Sequence, residues 1–348
     1  SGTTIITTDR IVNNGNGVAV ATTNWSAGSI QLNSGAVFNN KANAVFNMSG
    51  FGSISTASGT ASFNNQGVFN IGSSSNGSVS ATLNNSGTVN MNAGSSTLSS
   101  LNNTGTVNAN TGFLTVGSGT STGLFNVAAG ASLAISGSHV FSAGSSIAGS
   151  GTLRFSGGTS TLGDGAIAST LKLVSAGGTA NVTASGGSTS SLTFSGGTMN
   201  FDAGSFTAST LTLTSGTLGG TGTFNVTGAA TFDTSGTATL TGTGTTNLLG
   251  TSTFAASGTT TITTNRIVNN GNGVAANTAS WTAGSIQLNS GAVFNNKANA
   301  IFNASSTGTM STTAGIASFN NAGVFNRSGD GTTTTITATF NNSGTVNV

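Results

Sequence analysis

Of the chain's 348 residues only 3% are charged, against roughly a quarter in an ordinary soluble domain, and seven Lys and Arg facing five Asp leave a net charge of +2. Basic residues so few and scattered cannot displace the counterions of a nucleic acid, which excludes nucleic-acid binding despite a pI of about 9.7. Low charge, the absence of Pro and 20 Phe distributed along the chain exclude disorder; without Cys there are no disulfides, and no apolar run is long enough to span a bilayer.

Two periods organise the sequence. Residues 1–47 return as 257–303 with eight differences, among them Ile5 to Thr261, Asp9 to Asn265 and Val45 to Ile301. Within that passage AGSIQLNSGAVFNNKANA (27–44) recurs unchanged at 283–300. The short period is [Leu/Phe]-Asn-Asn-x-Gly-x-[Val/Phe]-Asn, seen loosely at 11–18 and 38–47 and strictly at 63–70, 83–90, 101–108, 319–326 and 340–347. Phe38, Phe63, Leu83 and Leu101 follow one another at 25, 20 and 18 residues, the length of one solenoid coil.

In each motif the apolar anchors predict two short strands. The Asn-Asn-x-Gly between them predicts a corner, because Asn and Gly tolerate positive φ. Polar–apolar alternation, as in TLTLT at 210–214, predicts strands with one buried face, and no helical period appears. Coils stacked roughly 4.8 Å apart would align Asn39, Asn64, Asn84 and Asn102, and Asn320 with Asn341, into a ladder of side-chain amides. Neutral columns of this kind also account for the missing charge, since stacked Lys or Glu would repel.

From 128 to 256 the Asn pairs give way to Gly-Gly and Ser-Gly corners, as in GSGTLRFSGG (149–158) and GGTGTFNVTG (219–228). The expected organisation is an Asn-rich block at 1–127, a Gly/Ser/Thr-rich block at 128–256 and a second copy of the first block at 257–348, in one continuous rod. The fold class is all-β, a parallel β-solenoid with about 18–25 residues per coil, right-handed by crossover chirality. Neither end reads as a cap, so the coils are expected to continue into adjoining repeats or another subunit end to end.

With FNNSGTVN, GTGTFNVTG and TLTLTSGTLGG in view, the chain resembles the β-strand repeat regions of large secreted bacterial surface proteins, the filamentous-haemagglutinin-like adhesins and autotransporter passengers. The resemblance covers essentially the whole chain and implies a solenoid outside the cell. No secretion domain or membrane barrel has a matching motif, and no functional residue is carried over.

Chemistry is sparse. The carboxylates Asp9, Asp164, Asp202, Asp233 and Asp330 are far apart in sequence, and only stacking could approach Asp202 to Asp233 as an acid–base pair. His139 is the sole His and reads as an exposed or corner residue; GGTSTLGD (157–164) is an isolated echo of a calcium repeat. No catalytic, cofactor-binding or metal residue is assigned, and no cofactor is expected. Trp25 and Trp281 recur in equivalent places and offer either packing or a platform for sugar rings, with packing favoured. Arg10 and Arg266 also recur, but Asp9 becomes Asn265, which argues against a required ion pair.

The leading functional expectation is a non-catalytic extracellular shaft or fibre segment whose partners are copies of itself or adjoining repeats, with matrix glycans as further candidates and no membrane insertion. The alternative is an ice- or glycan-binding module using Thr-x-Thr arrays or the Trp pair. Unequal coil lengths argue against the regular Thr array that ice would require.

Overall fold

The computed structural model describes residues 2–50, 52–72, 77–255, 257–305, 307–329 and 333–348. It comprises two compact units, Ser1–Lys172 and Leu173–Val348. Among the described residues there is no helix, and every strand pairing is parallel, so each unit is a β-solenoid.

In the first unit each coil runs through three faces. The first begins with Thr3–Ile6, Gly28–Leu32, Gly52–Ser55 and Gly77–Val79. The second begins with Ile11–Asn14, Val37–Asn40, Ser62–Asn65 and Thr82–Asn85. The third is a seven-stranded sheet that opens with Ala21–Trp25, Ala44–Met48, Val68–Ile71 and Thr88–Met91. In later coils the first two faces merge into long strands such as Ser95–Asn103. There the alternation of buried side chains slips by one between Leu98 and Leu101 as the strand bends.

Register is strict where the sequence spacing is not. Phe38 pairs with Phe63, Phe63 with Leu83 and Leu83 with Leu101, although the intervals differ. The excess is confined to corners. Six residues, 56–61, join the first two faces in one coil, two residues, 80–81, do so in the next, and Ser95–Asn103 crosses without interruption. Strands must stay in phase because a one-residue slip would turn the buried Phe and Leu outward, whereas a corner can lengthen into solvent.

Inside, Phe38, Phe46, Phe63 and Phe69 pack with ring centroids 4.9 to 5.9 Å apart. In the second unit Phe294, Phe302, Phe319 and Phe325 repeat the cluster at 5.3 to 5.9 Å. That unit likewise carries an eight-stranded sheet, in which Ile267–Asn270, Val293–Asn296, Ser318–Asn321 and Thr339–Asn342 follow one another. Both copies of the duplicated passage therefore fold into the same coils.

The corner expectation for Asn-Asn-x-Gly needs correction. Both Asn lie in strands, at Asn64–Asn65 and Asn84–Asn85 for example, and the Gly that follows is not left-handed. Its requirement is steric: a Cβ on Gly67, Gly87, Gly105 or Gly123 would stand 2.1 to 2.2 Å from the carbonyl oxygen of the preceding coil. Those carbonyls accept the amides of Thr88, Thr106 and Leu124 at 2.8 Å, which draws the corners together. Left-handed Asn occurs elsewhere, at Asn43 and its equivalent Asn299.

Candidate functional site

The chemistry of this protein is concentrated in columns of amides. On the second face Asn39 donates to Asn13 at 2.8 Å, and Asn64 to Asn39, Asn84 to Asn64 and Asn102 to Asn84 at 2.9 Å. In the second unit Asn341 donates to Asn320 at 2.8 Å and Asn320 to Asn295 at 2.9 Å, a column that runs back through Asn269 and Asn247 to Asn225. Each amide uses one N–H and one acceptor site within the column and turns the others outward. With Gln66, Ser86 and Thr104 opposite, the first of these columns walls a shallow, uncharged groove.

Two further columns escaped the sequence reading. The second Asn of each pair points inward, so Asn14, Asn40, Asn65, Asn85 and Asn103 form a buried ladder with rungs of 2.7 to 2.8 Å. It runs the opposite way, each amide donating to the following coil. The reason lies in its second hydrogen, which reaches the main-chain oxygens of Val68 from Asn40, Thr88 from Asn65 and Thr106 from Asn85 at 2.9 to 3.2 Å. The ladder thus ties the second face to the third face of the next coil. A third column, Asn24, Asn47, Asn70, Asn90, Asn108 and Asn126, stands outside on the third face at 2.7 to 2.8 Å. The period-two rule applied to Asn-Asn, and the last letter of the motif, were the available signals.

The first rung of a buried ladder needs a donor for its free oxygen, and the two copies supply it differently. Thr23 donates to Asn14 Oδ1 at 2.8 Å. In the second copy Thr23 is replaced by Ala279 and Ala21 by Asn277, whose amide donates to Asn270 Oδ1 at 2.5 Å and to the Leu248 oxygen at 3.0 Å. Two of the eight differences therefore compensate each other.

Two ionisable residues are buried. His139 is not a corner residue. It lies in the strand His139–Phe141 with no exposed surface, its Nδ1 3.3 Å from the Gly117 oxygen and its Nε2 2.8 Å from Ser121 Oγ. A carbonyl only accepts, so Nδ1 carries the proton and Nε2 accepts from Ser121. Burial pulls its pKa down to about 4 against the weaker opposing pull of the Gly117 hydrogen bond, and the ring stays neutral between Phe125 and Phe141.

Arg266 is also wholly buried. Its Nε and Nη2 donate to Thr246 Oγ1 at 3.1 and 2.7 Å, and its Nη1 to the main-chain oxygens of Gly220 and Thr241 at 3.1 and 3.3 Å. Burial lowers its pKa to about 10, which leaves it charged at neutral pH. In the inward column Phe224, Thr246, Val268 and Phe294, Thr246 is the polar notch that admits the guanidinium.

Trp281 has no exposed surface and donates its indole N–H to the Gly284 oxygen at 3.1 Å, so it offers no platform to a sugar. Trp25, half-buried, makes the equivalent bond to Gly28. Asp202 follows the far end of the long strand Ser191–Phe201, which aligns through Leu218 with Leu240, whereas Asp233 follows Ala230–Phe232, which aligns through Leu213 with Phe194 in the first half of that strand, so stacking does not unite them. Asp9 and Asp164 lie at corners of the first unit, and Asp330 lies outside the described residues. Among the described residues no group of three or more His, Cys, Asp or Glu could hold a metal ion. Comparisons with known protein families, with curated proteins and with solved structures returned no match.

Proposed function

We propose that this chain is a non-catalytic shaft or fibre segment of an extracellular bacterial surface protein, of the repeat type resembled by filamentous-haemagglutinin-like adhesins and autotransporter passengers. The observation that carries the reading is the set of uncharged amide ladders joining each coil to the next in both copies of the duplicated passage. A coil that contributes mainly a rung and a share of Phe core adds length, roughly 4.8 Å at a time, rather than a site. Its partners are adjoining repeats. Antibodies raised against the chain and applied to intact cells under the electron microscope are expected to mark filaments projecting from the surface; label confined to the cell interior would reject the proposal.

A second reading, recognition of ice, draws on one observation. Thr198, Thr217, Thr239 and Thr261 pair in register on one face, and Thr237 pairs with Thr259 beside them. Corners absorb the unequal coil lengths, so those lengths do not oppose a regular Thr array. Thermal hysteresis of the purified chain decides: this reading requires it, and the shaft reading expects none.

A further inference from the structure

The loose form of the short motif, IVNNGNGV at 11–18 and again at 267–274, differs from every strict form in placing Gly directly after Asn, twice in succession. Asn-Gly is the dipeptide in which the following main-chain nitrogen closes most readily on the Asn side chain, because Gly brings no side chain to obstruct the ring. The remaining Asn-Gly of the chain begins at Asn76, which lies outside the described residues.

In the second copy the two dipeptides receive opposite treatment. Asn270 is buried in the ladder, where its Nδ2 donates to Asn296 and to the Ile301 oxygen and its Oδ1 accepts from Asn277. The Gly271 N–H is taken by the Leu248 oxygen at 2.9 Å. Asn272, two residues on, is exposed in the loop 271–276 between the strands Ile267–Asn270 and Asn277–Trp281. Its Oδ1 accepts the main-chain N–H groups of Val274 at 2.9 Å and Ala275 at 3.0 Å. Gly273 lies at φ +84, a Cβ on it would meet nothing within 4 Å, and among the described residues no acceptor takes its N–H. The following coil clamps this loop, as Asn299 donates to the Gly273 and Val274 oxygens, both at 3.3 Å. The first copy repeats the arrangement. Asn16 Oδ1 accepts from Val18 and Ala19 at 2.9 and 3.0 Å, Gly17 lies at φ +84, and Asn43 donates to the Gly17 and Val18 oxygens at 3.3 and 3.4 Å.

We propose that Asn272 and Asn16 are self-modification sites, at which the fold promotes intramolecular loss of ammonia and converts each Asn to aspartate or isoaspartate. The ring closed by the Val274 N–H and Asn272 Oδ1 contains the Gly273 nitrogen, which keeps the side-chain amide carbon beside its nucleophile. That nitrogen gives its proton to a solvent base and bonds to Asn272 Cγ. Negative charge develops on Oδ1, where the Val274 and Ala275 N–H groups already point, as in an oxyanion hole. Collapse breaks the Cγ–Nδ2 bond, and Nδ2 leaves as ammonia with a proton returned from solvent. Water then opens the five-membered imide at either carbonyl, which restores the Gly273 N–H and leaves a carboxylate. Opening at the main-chain carbonyl gives isoaspartate, whose backbone runs through the former side chain. Asn270 is held from this course by its buried amide and by the bond on Gly271. Each conversion adds one negative charge, so completion at both sites takes the net charge from +2 to zero. The proposal goes beyond the shaft reading and does not depend on it.

The full chain and a synthetic peptide of residues 267–279 are incubated side by side in mildly alkaline buffer. The mass of proteolytic fragments follows conversion at each Asn, and enzymatic methylation of the new carboxylate detects isoaspartate. In the peptide Asn270 and Asn272 serve as unfolded references. In the folded chain Asn272 and Asn16 are expected to convert about tenfold faster than in the peptide, and Asn270 about a hundredfold slower, limited by opening of its coil. Asn299→Gly removes the clamp yet suits the left-handed backbone of that position, at φ 61, and should bring Asn272 down to the peptide rate while Asn16 is unchanged. Val274→Pro deletes one donor of the cradle at an exposed position and should slow Asn272 about tenfold. Continued protection of Asn270 in the same digests shows that each variant is folded. A folded-chain rate for Asn272 at or below that of the peptide, Asn270 keeping pace with Asn272, or folded variants that leave Asn272 as fast as before would each overturn the proposal.

Discussion

At the scale of single residues, His139 makes stability depend on pH in a chain with almost no other means of doing so. Its folded pKa of about 4 lies below the ordinary 6.5, so the unfolded chain takes up the proton first as pH falls. Its contribution is therefore complete above about pH 6.5, declines between 6.5 and 4 and is gone below that, a total on the order of 3 kcal/mol. Opening free energies of residues 117–141, measured by hydrogen exchange across this range, should show that slope, and His139→Gln should flatten it. The paired asparagines give a second contrast. Asn65→Ala strands the Asn40 amide, the Asn85 oxygen and the Thr88 carbonyl in a dry interior and is expected to cost about 3 kcal/mol. Asn64→Ala removes two rungs that water can replace and should cost about 1 kcal/mol or less, as chemical denaturation of the two variants will report.

At the scale of elements, the strands are uniform and the corners individual. Four-residue strands alternate buried and half-buried side chains through both units, as hydrophobic periodicity predicts. Legibility stopped at the corners. The Asn-Asn-x-Gly motif looks like turn chemistry, and only the stacked neighbour reveals that Gly87 answers to the Gly67 oxygen 2.2 Å from where its Cβ would be. Gly87→Ala must push two coils apart and is expected to cost about 2 to 3 kcal/mol. Gly72, with nothing within 4 Å of a Cβ, is the control, and Gly72→Ala should stay within about 0.5 kcal/mol by the same denaturation measurement.

At the scale of the molecule, neutrality is the governing property. Among the described residues cohesion comes from Phe and Leu packing and from amide columns, and only 3% of the chain is charged, so the melting profile should be nearly indifferent to a chelator and to salt up to about 1 M, where exposed ion pairs are screened. A large shift with a chelator in differential scanning calorimetry would reveal a bound metal. The sequence by itself determined that the strands stack in parallel coils, that one passage is used twice and that Asn39, Asn64, Asn84 and Asn102 share a column. A repeated spacing is the register of a stack written out along the chain. Only the tertiary structure decided why Gly follows the Asn pair, and that His139, Arg266 and Trp281 are buried. Those outcomes depend on which face a residue meets after a corner of unequal length, and on the side chains of the coil next to it, and neither is encoded in any local period.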